Sequence, residues 1–173
     1  MAPQTPYTAD LGERAPLAAI ADTSARLREL LAGWSPAQFE RTYAPGKWTA
    51  RQILIHLAQT ELALGNRARM ALATPDYVAQ AFDQDAWMGK EAGGAGGAGR
   101  AGTESGVSAR VALDALVSLS AMNYALFASL SAEDRATPFS HPEYGALTVD
   151  WLIHQMAGHG IHHLRQLDEI ATR

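Results

Sequence analysis

The chain has 173 residues, a formal charge of −4, 47% hydrophobic and 18% charged residues, and no cysteine. This length suits one domain with a buried core, and the composition is that of a soluble globular protein. A negative charge without a cluster of Lys or Arg argues against nucleic-acid and anionic-membrane partners. The absence of cysteine excludes disulfides, thiolate metal sites and a cysteine nucleophile, so any metal must be bound by His, Asp or Glu.

The N-terminal residues, MAPQTPYTADLGER, lack the charged and apolar regions of a signal peptide. No stretch approaches the roughly 20 apolar residues of a membrane span. We therefore expect a cytoplasmic protein with a single domain over residues 1–173.

Four long segments show apolar residues at helical spacing. They cover about residues 13–32, 49–73, 108–130 and 148–171. Thr49 and Gln52 fit a capping box at the start of the second segment, and Thr148 is the expected N-cap of the fourth. Four helices of about 20 residues in one domain predict an all-α four-helix bundle.

The connecting segments are shorter and more polar. Ser35–Glu40, with Pro36 at its first helical position, predicts a short turn of helix. Residues 76–90 fit either a short helix or an ordered loop, His141–Gly145 (HPEYG) fits a loop, and nothing indicates a sheet.

A glycine-rich tract, GGAGGAGRAG at residues 93–102, predicts a flexible loop over residues 91–103. A phosphate-binding loop is the alternative. No strand precedes the tract and no Gly-Lys-Ser/Thr follows it, so we favour the flexible loop.

Three of the six histidines fall within AGHGIHHLRQL, residues 157–167. At about 100° per residue, His159 and His163 lie in the apolar stripe of the last helix. His162 lies at the edge of that stripe, and His154 lies on the solvent side. Two inward imidazoles are costly unless they are hydrogen-bonded in the core or share a divalent cation, and the H-x-x-x-H spacing alone leaves both possible.

The second helix offers further candidates on or near its apolar side. His56 borders the apolar stripe and is a credible third metal ligand, although a lone histidine there is more often a packing residue. Glu61 could be a general base or outer-sphere carboxylate, but we favour a structural ion pair. Arg67 continues the row of His56 along the helix and is a candidate substrate-binding residue.

The segments PGKWTARQILIHLAQTE, DQDAW and HPEYGALTVDWLIHQMAGHGIHHLRQL resemble the DinB-like superfamily. They are most similar to its branch of metal-dependent hydrolases and bacillithiol transferases. The resemblance spans about residues 14–170, and the order and spacing of its motifs are specific although each motif is loose. Many relatives carry an acidic residue where this chain has Gln59, and the glycine-rich loop is longer than the family pattern.

The resemblance implies an up-down-down-up four-helix bundle, often dimeric, with one divalent metal bound by three histidines. The matching positions are His56, His159 and His163, whereas His162 matches a histidine that is not a ligand. Zinc or nickel is the first choice for the metal, and iron or manganese is the alternative, because imidazole suits several of these ions.

Three functions fit such a site. Three histidine ligands leave a fourth metal position open, which suits a hydrolase that uses metal-bound water on a small-molecule substrate. The same position could hold the thiolate of a low-molecular-weight thiol cosubstrate, which would make the protein a thiol S-transferase. The third possibility is a non-catalytic, metal-stabilised homodimer. The apolar arc of the last helix, which includes Ile153, Ala157 and Ile161, must contact either a neighbouring helix of the same chain or a dimer partner.

Overall fold

The structure of the protein, a computed structural model, describes residues 2–92 and 106–173. The helices are α1 (Thr8–Leu11), α2 (Pro16–Leu31), α3 (Pro36–Phe39), α4 (Ala50–Ala73), α5 (Gln84–Glu91), α6 (Ala109–Ser129), α7 (Ala132–Ala136) and α8 (Val149–Ala171). The strands are β1 (Pro138–His141) and β2 (Gly145–Thr148). From residue 93 onward, the predicted glycine-rich loop lies outside the described residues.

Helices α4 and α8 begin at side-chain caps that the sequence predicted. The Thr49 hydroxyl accepts a hydrogen bond from the Gln52 amide at 3.2 Å, and the Gln52 carboxamide oxygen accepts from the Thr49 amide at 2.9 Å. This reciprocal capping box satisfies amide groups that a helix N-terminus otherwise leaves unpaired. The Thr148 hydroxyl accepts from the Trp151 amide in the same way at the start of α8.

The four long helices form a ring in which α2 packs on α8, α8 on α4, α4 on α6 and α6 on α2. Side-chain pairs give their directions. Thr23 lies beside Gly160, and Arg26 further along α2 reaches Asp168 further along α8, so these two helices run parallel. Helices α4 and α8 are antiparallel, because the first part of α4 packs with the last part of α8 and the last part of α4 with the first part of α8. Helices α4 and α6 are parallel, because Arg51 contacts Val107 while Glu61 and Arg69 further along α4 both contact Asn123. The resulting order is up-down-down-up, as the resemblance implied.

The apolar core has two parts that meet along α4 and α8. One part uses Ile53–Leu57 of α4 with Leu167 and Ile170 of α8. The other uses α4 from Leu64 onward and α8 up to Ile161. The apolar arc of α8 is therefore covered within the chain: Ile153, Ala157 and Ile161 are at most 3% exposed.

The small sheet was not predicted. Strands β1 and β2 pair in an antiparallel hairpin, with Phe139 opposite Leu147, and the predicted HPEYG loop supplies its turn. Gly145 has a φ of 71°, which glycine adopts without the penalty of a Cβ atom. Two strands of four residues are too short to show a clear alternation of apolar and polar residues, so the sequence pattern did not reveal them.

Among the described helices, α6 is long and apolar enough to cross a membrane, with a mean hydropathy of 1.5 over an 18-residue window. The expectation that no segment approaches this length was therefore wrong for α6. The core helices of helical bundles can be equally long and apolar, and α6 packs against both α4 and α2.

Candidate metal centre

His56 of α4 and His159 and His163 of α8 converge at the junction of the two core parts. One ring nitrogen from each histidine lies within 4.8 Å of the other two. The Nε2 atoms of His56 and His159 are 2.9 Å apart, and all three residues are at most 6% exposed. A single ion could contact all three rings at this spacing.

Gln166 orients the ring of His163. Its side-chain oxygen lies 2.8 Å from Nδ1 of His163, so Nδ1 carries the proton and the lone pair is on Nε2. The Gln166 amide group also approaches Nε2 of His162 at 3.2 Å and the Tyr43 hydroxyl at 3.4 Å. This arrangement fixes which nitrogen of His163 is available to bind a metal.

His56 has a corresponding neighbour in Gln59. Both pairs, His56–Gln59 and His163–Gln166, have a spacing of three residues, which places the side chains on the same face of a helix. Nδ1 of His56 and both polar side-chain atoms of Gln59 are buried without hydrogen-bond partners. A rotation of the Gln59 side chain would let its oxygen accept from Nδ1, leaving Nε2 of His56 to bind a metal.

The three imidazoles are neutral at physiological pH. Burial and the neighbouring His163 lower the pKa of His56 to about 3, and burial lowers the pKa of His163 to about 4. Burial and the other histidines also hold the pKa of His159 well below 6.5. Neutral imidazole is the form that binds metal ions, so no proton has to be removed first at pH 7.

Aromatic rings enclose the cluster on two sides. Trp48 lies 4.9 Å from the ring of His56, measured between centroids, and Tyr7 lies 4.9 Å from that of His159. Tyr7 can approach because residue 158 is glycine: a Cβ atom there would lie 2.5 Å from the Tyr7 carbonyl oxygen. Tyr7 was not predicted from the sequence, in which Gly158 beside His159 is the signal for a close approach.

The other two histidines of α8 lie outside the cluster. The side chain of His162 is 39% exposed, and its Nδ1 lies 3.5 Å from the Asp10 carboxylate. His154 was expected on the solvent side, but its side chain is only 15% exposed. It is partly covered because Nδ1 bonds the backbone oxygen of Asp150 one turn earlier.

Glu61 lies at the interface with α6 and does not line the cavity that reaches the histidines. The expected ion pair does not form among the described residues. Arg69 donates to Oδ1 of Asn123 at 2.7 Å, and Nδ2 of Asn123 donates to the Glu61 carboxylate at 2.7 Å. The amide thus stands between the two charges, and burial raises the pKa of Glu61 to about 7.

A cavity of about 200 Å³ opens beside the cluster. His56 and His159 line one part of it, and the predicted substrate-binding residue Arg67 also lines it. Two aromatic residues near the hairpin, Tyr144 and Trp151, also line the cavity. Neither was predicted from the sequence as a site residue. A larger depression of about 430 Å³ between α2 and α6 contains none of the histidines.

Fold and site together define a class: a four-helix bundle whose buried histidines fit one divalent ion next to a small-molecule cavity. The same fold occurs in YfiT from Bacillus subtilis, described as "a probable metal-dependent hydrolase with an unusual four-helix bundle topology". The two structures superpose with a TM-score of 0.75 at 20% sequence identity, covering 91% of this chain and 85% of YfiT.

The chain belongs to the DinB superfamily, whose pattern its residues 19–167 match. It is 24% identical over 154 residues to an Oceanobacillus iheyensis protein named "Putative metal-dependent hydrolase", covering 89% of this chain and 83% of that protein. A Bacillus cereus protein with the same name is 25% identical over 154 residues, with 89% and 82% coverage. The resemblance inferred from the motifs is thereby confirmed.

Proposed function

We propose that this protein is a metal-dependent hydrolase of a small-molecule substrate and that His56, His159 and His163 hold one divalent ion. The observation that carries the proposal is the convergence of three buried, neutral imidazoles, two of which, His56 and His159, line a cavity. The Nε2 atoms of His56 and His159 lie 2.9 Å apart, and a shared cation would accept a lone pair from each ring. A zinc ion held by the three histidines would leave a fourth position for water and would lower the pKa of that water to about 7.

The protein's own residues would set the geometry of the reaction. Gln166 holds the ring of His163, and Gln59 is placed to hold that of His56. Trp48 and Tyr7 cover the histidines on two sides and limit the approach of bulk water. Burial raises the pKa of Tyr7, so its hydroxyl stays protonated and can donate a hydrogen bond to a substrate oxygen.

Hydrolysis of 4-nitrophenyl acetate by zinc-loaded protein tests the proposal. We expect turnover that is abolished in His159→Ala and retained in His154→Ala, a matched control on the same helix outside the cluster. Equal rates in the two variants would contradict the proposal.

A parallel assay tests the thiol S-transferase alternative. It follows the conjugation of glutathione, mycothiol or bacillithiol to 1-chloro-2,4-dinitrobenzene. Histidine-dependent conjugation without histidine-dependent hydrolysis would favour the transferase. Zinc binding with neither activity would favour a non-catalytic metal protein, whose predicted homodimer would appear as concentration-dependent sedimentation.

A further inference from the structure

The cavity beside the histidines contains a buried positive charge that no carboxylate of the described residues contacts. Arg67 is 9% exposed and donates from Nη2 to the Gln80 backbone oxygen at 2.6 Å. Among the described residues, no carboxylate lies within 4.0 Å of its guanidinium group. A buried cation without a counter-ion is costly, which indicates that a ligand supplies the missing negative charge.

Two further polar side chains of the cavity wall have atoms without partners. Thr60 lies between His56 and Arg67 on α4, and Gln155 lies one turn before His159 on α8. Oγ1 of Thr60 and Oε1 of Gln155 are buried and make no hydrogen bond within the described part of the chain. The cavity therefore offers unpaired hydrogen-bonding groups from both of the helices that carry the histidines.

Most of the remaining wall is aromatic or apolar and includes Tyr7, Phe82, Tyr144 and Trp151. Such a wall suits an apolar substrate body between polar ends. Arg67 follows His56 by 11 residues, which corresponds to about 16 Å between their Cα atoms along α4. Both side chains line the same cavity, so the charge and the histidines would contact different groups of one molecule rather than neighbouring atoms.

The charge balance favours a monoanion. One guanidinium group, with one donor already used by Gln80, neutralises a single negative charge. Burial lowers the pKa of Arg67, and the exposed Glu143 carboxylate on the same cavity wall opposes that shift from beyond salt-bridge distance. One negative charge in direct contact balances the guanidinium group, whereas a phosphate dianion would bring excess negative charge, so a carboxylate fits better.

We propose that Arg67 is the anion-recognition residue of this cavity. The substrate is then a small molecule with an apolar middle, a carboxylate at the Arg67 end and the reacting group at the histidines. This inference rests on the proposed function and narrows its substrate class.

The test compares suberic acid monohydroxamate with its methyl ester, a pair that differs by one charge, by calorimetric titration of zinc-loaded protein. We expect the acid to bind about 10-fold more tightly than the ester. In Arg67→Met the two should bind equally, with the ester's affinity unchanged, and Arg67→Lys should give an intermediate ratio because lysine keeps the charge but not the planar fork. Arg28→Met removes a charge outside this cavity and should keep the full preference.

Equal binding of acid and ester to the wild-type protein would overturn the proposal, as would a preference that survives in Arg67→Met. If Arg67→Met does not fold, the ratio of acid to ester affinity is compared between the wild-type protein and Arg67→Lys. An unchanged ratio in Arg67→Lys would then overturn the proposal. A failure of the metal centre would appear separately, as hydroxamate affinities that depend neither on zinc nor on His159. The ratio of acid to ester would still report the charge of Arg67.

Discussion

Replacing Gln166 with leucine should weaken zinc binding, because the ring of His163 loses the oxygen that orients it. The lost bond is 2.8 Å long, and Nδ1–H of His163 would remain buried without an acceptor. In the metal-free variant the ring can turn to find another partner, and returning it to the metal-binding orientation leaves that donor unsatisfied at a cost of about 1–3 kcal/mol. A value near 2 kcal/mol corresponds to roughly a 30-fold higher dissociation constant for zinc. This lies within the ~10–100-fold loss of affinity caused by mutating residues that hydrogen-bond to metal ligands.

Competition with a chromophoric zinc chelator measures this dissociation constant directly. Gln166→Glu keeps an acceptor at the same place and should bind zinc at least as tightly as the wild-type protein. Gln155→Leu makes the same kind of change one turn before His159, where the side chain bonds none of the three rings, and should leave zinc affinity unchanged. A Gln166→Leu dissociation constant within about twofold of wild type would refute the idea that Gln166 positions a ligand.

Three further predictions concern stability, measured by urea unfolding. Gly158→Ala should destabilise the protein by about 1–3 kcal/mol because the new Cβ would collide with the Tyr7 backbone. Gly33→Ala, with open space around the new Cβ, should not destabilise it. Equal stabilities of the two variants would contradict the close approach of Tyr7 to Gly158. The metal-free protein should lose stability as the pH falls below 6.5, because the pKa values of His56 and His163 are about 3 and about 4 in the folded protein and rise on unfolding. A free energy of unfolding that stays constant between about pH 7 and about pH 5 would contradict buried, neutral rings. Glu61 acts in the opposite direction: folding raises its pKa from 4.5 to about 7, so its contribution to stability is lost as the pH rises through that window. Glu61→Gln should therefore gain about 1–3 kcal/mol of stability above about pH 7 and nothing near about pH 4.5. An equal gain at both pH values would show that the carboxyl group is not buried in its neutral form.

Helix boundaries were predictable where a local interaction sets them. The capping box at Thr49 and the N-cap at Thr148 involve residues three apart in sequence, so the starts of α4 and α8 were predicted to within a residue. The inward direction of His159 and His163 followed from helical periodicity and agrees with their burial.

Features that depend on tertiary contacts were not predictable in the same way. Helix α1 has only four residues and was missed, although it carries Asp10, whose carboxylate pairs with Arg165 and lies 3.5 Å from His162. The predicted ion pair of Glu61 was wrong because Asn123, 62 residues away in the chain, comes between Glu61 and Arg69 once α4 and α6 are packed. Periodicity identifies the face of a helix but not the residue that meets it.

Elemental analysis of dialysed, tag-free protein measures whether His56, His159 and His163 bind one divalent ion. We expect close to one divalent ion per chain in the wild-type protein and in His154→Ala, and none in His159→Ala. No bound metal in the wild-type protein after reconstitution with zinc or nickel would contradict it, as would equal metal content in all three proteins.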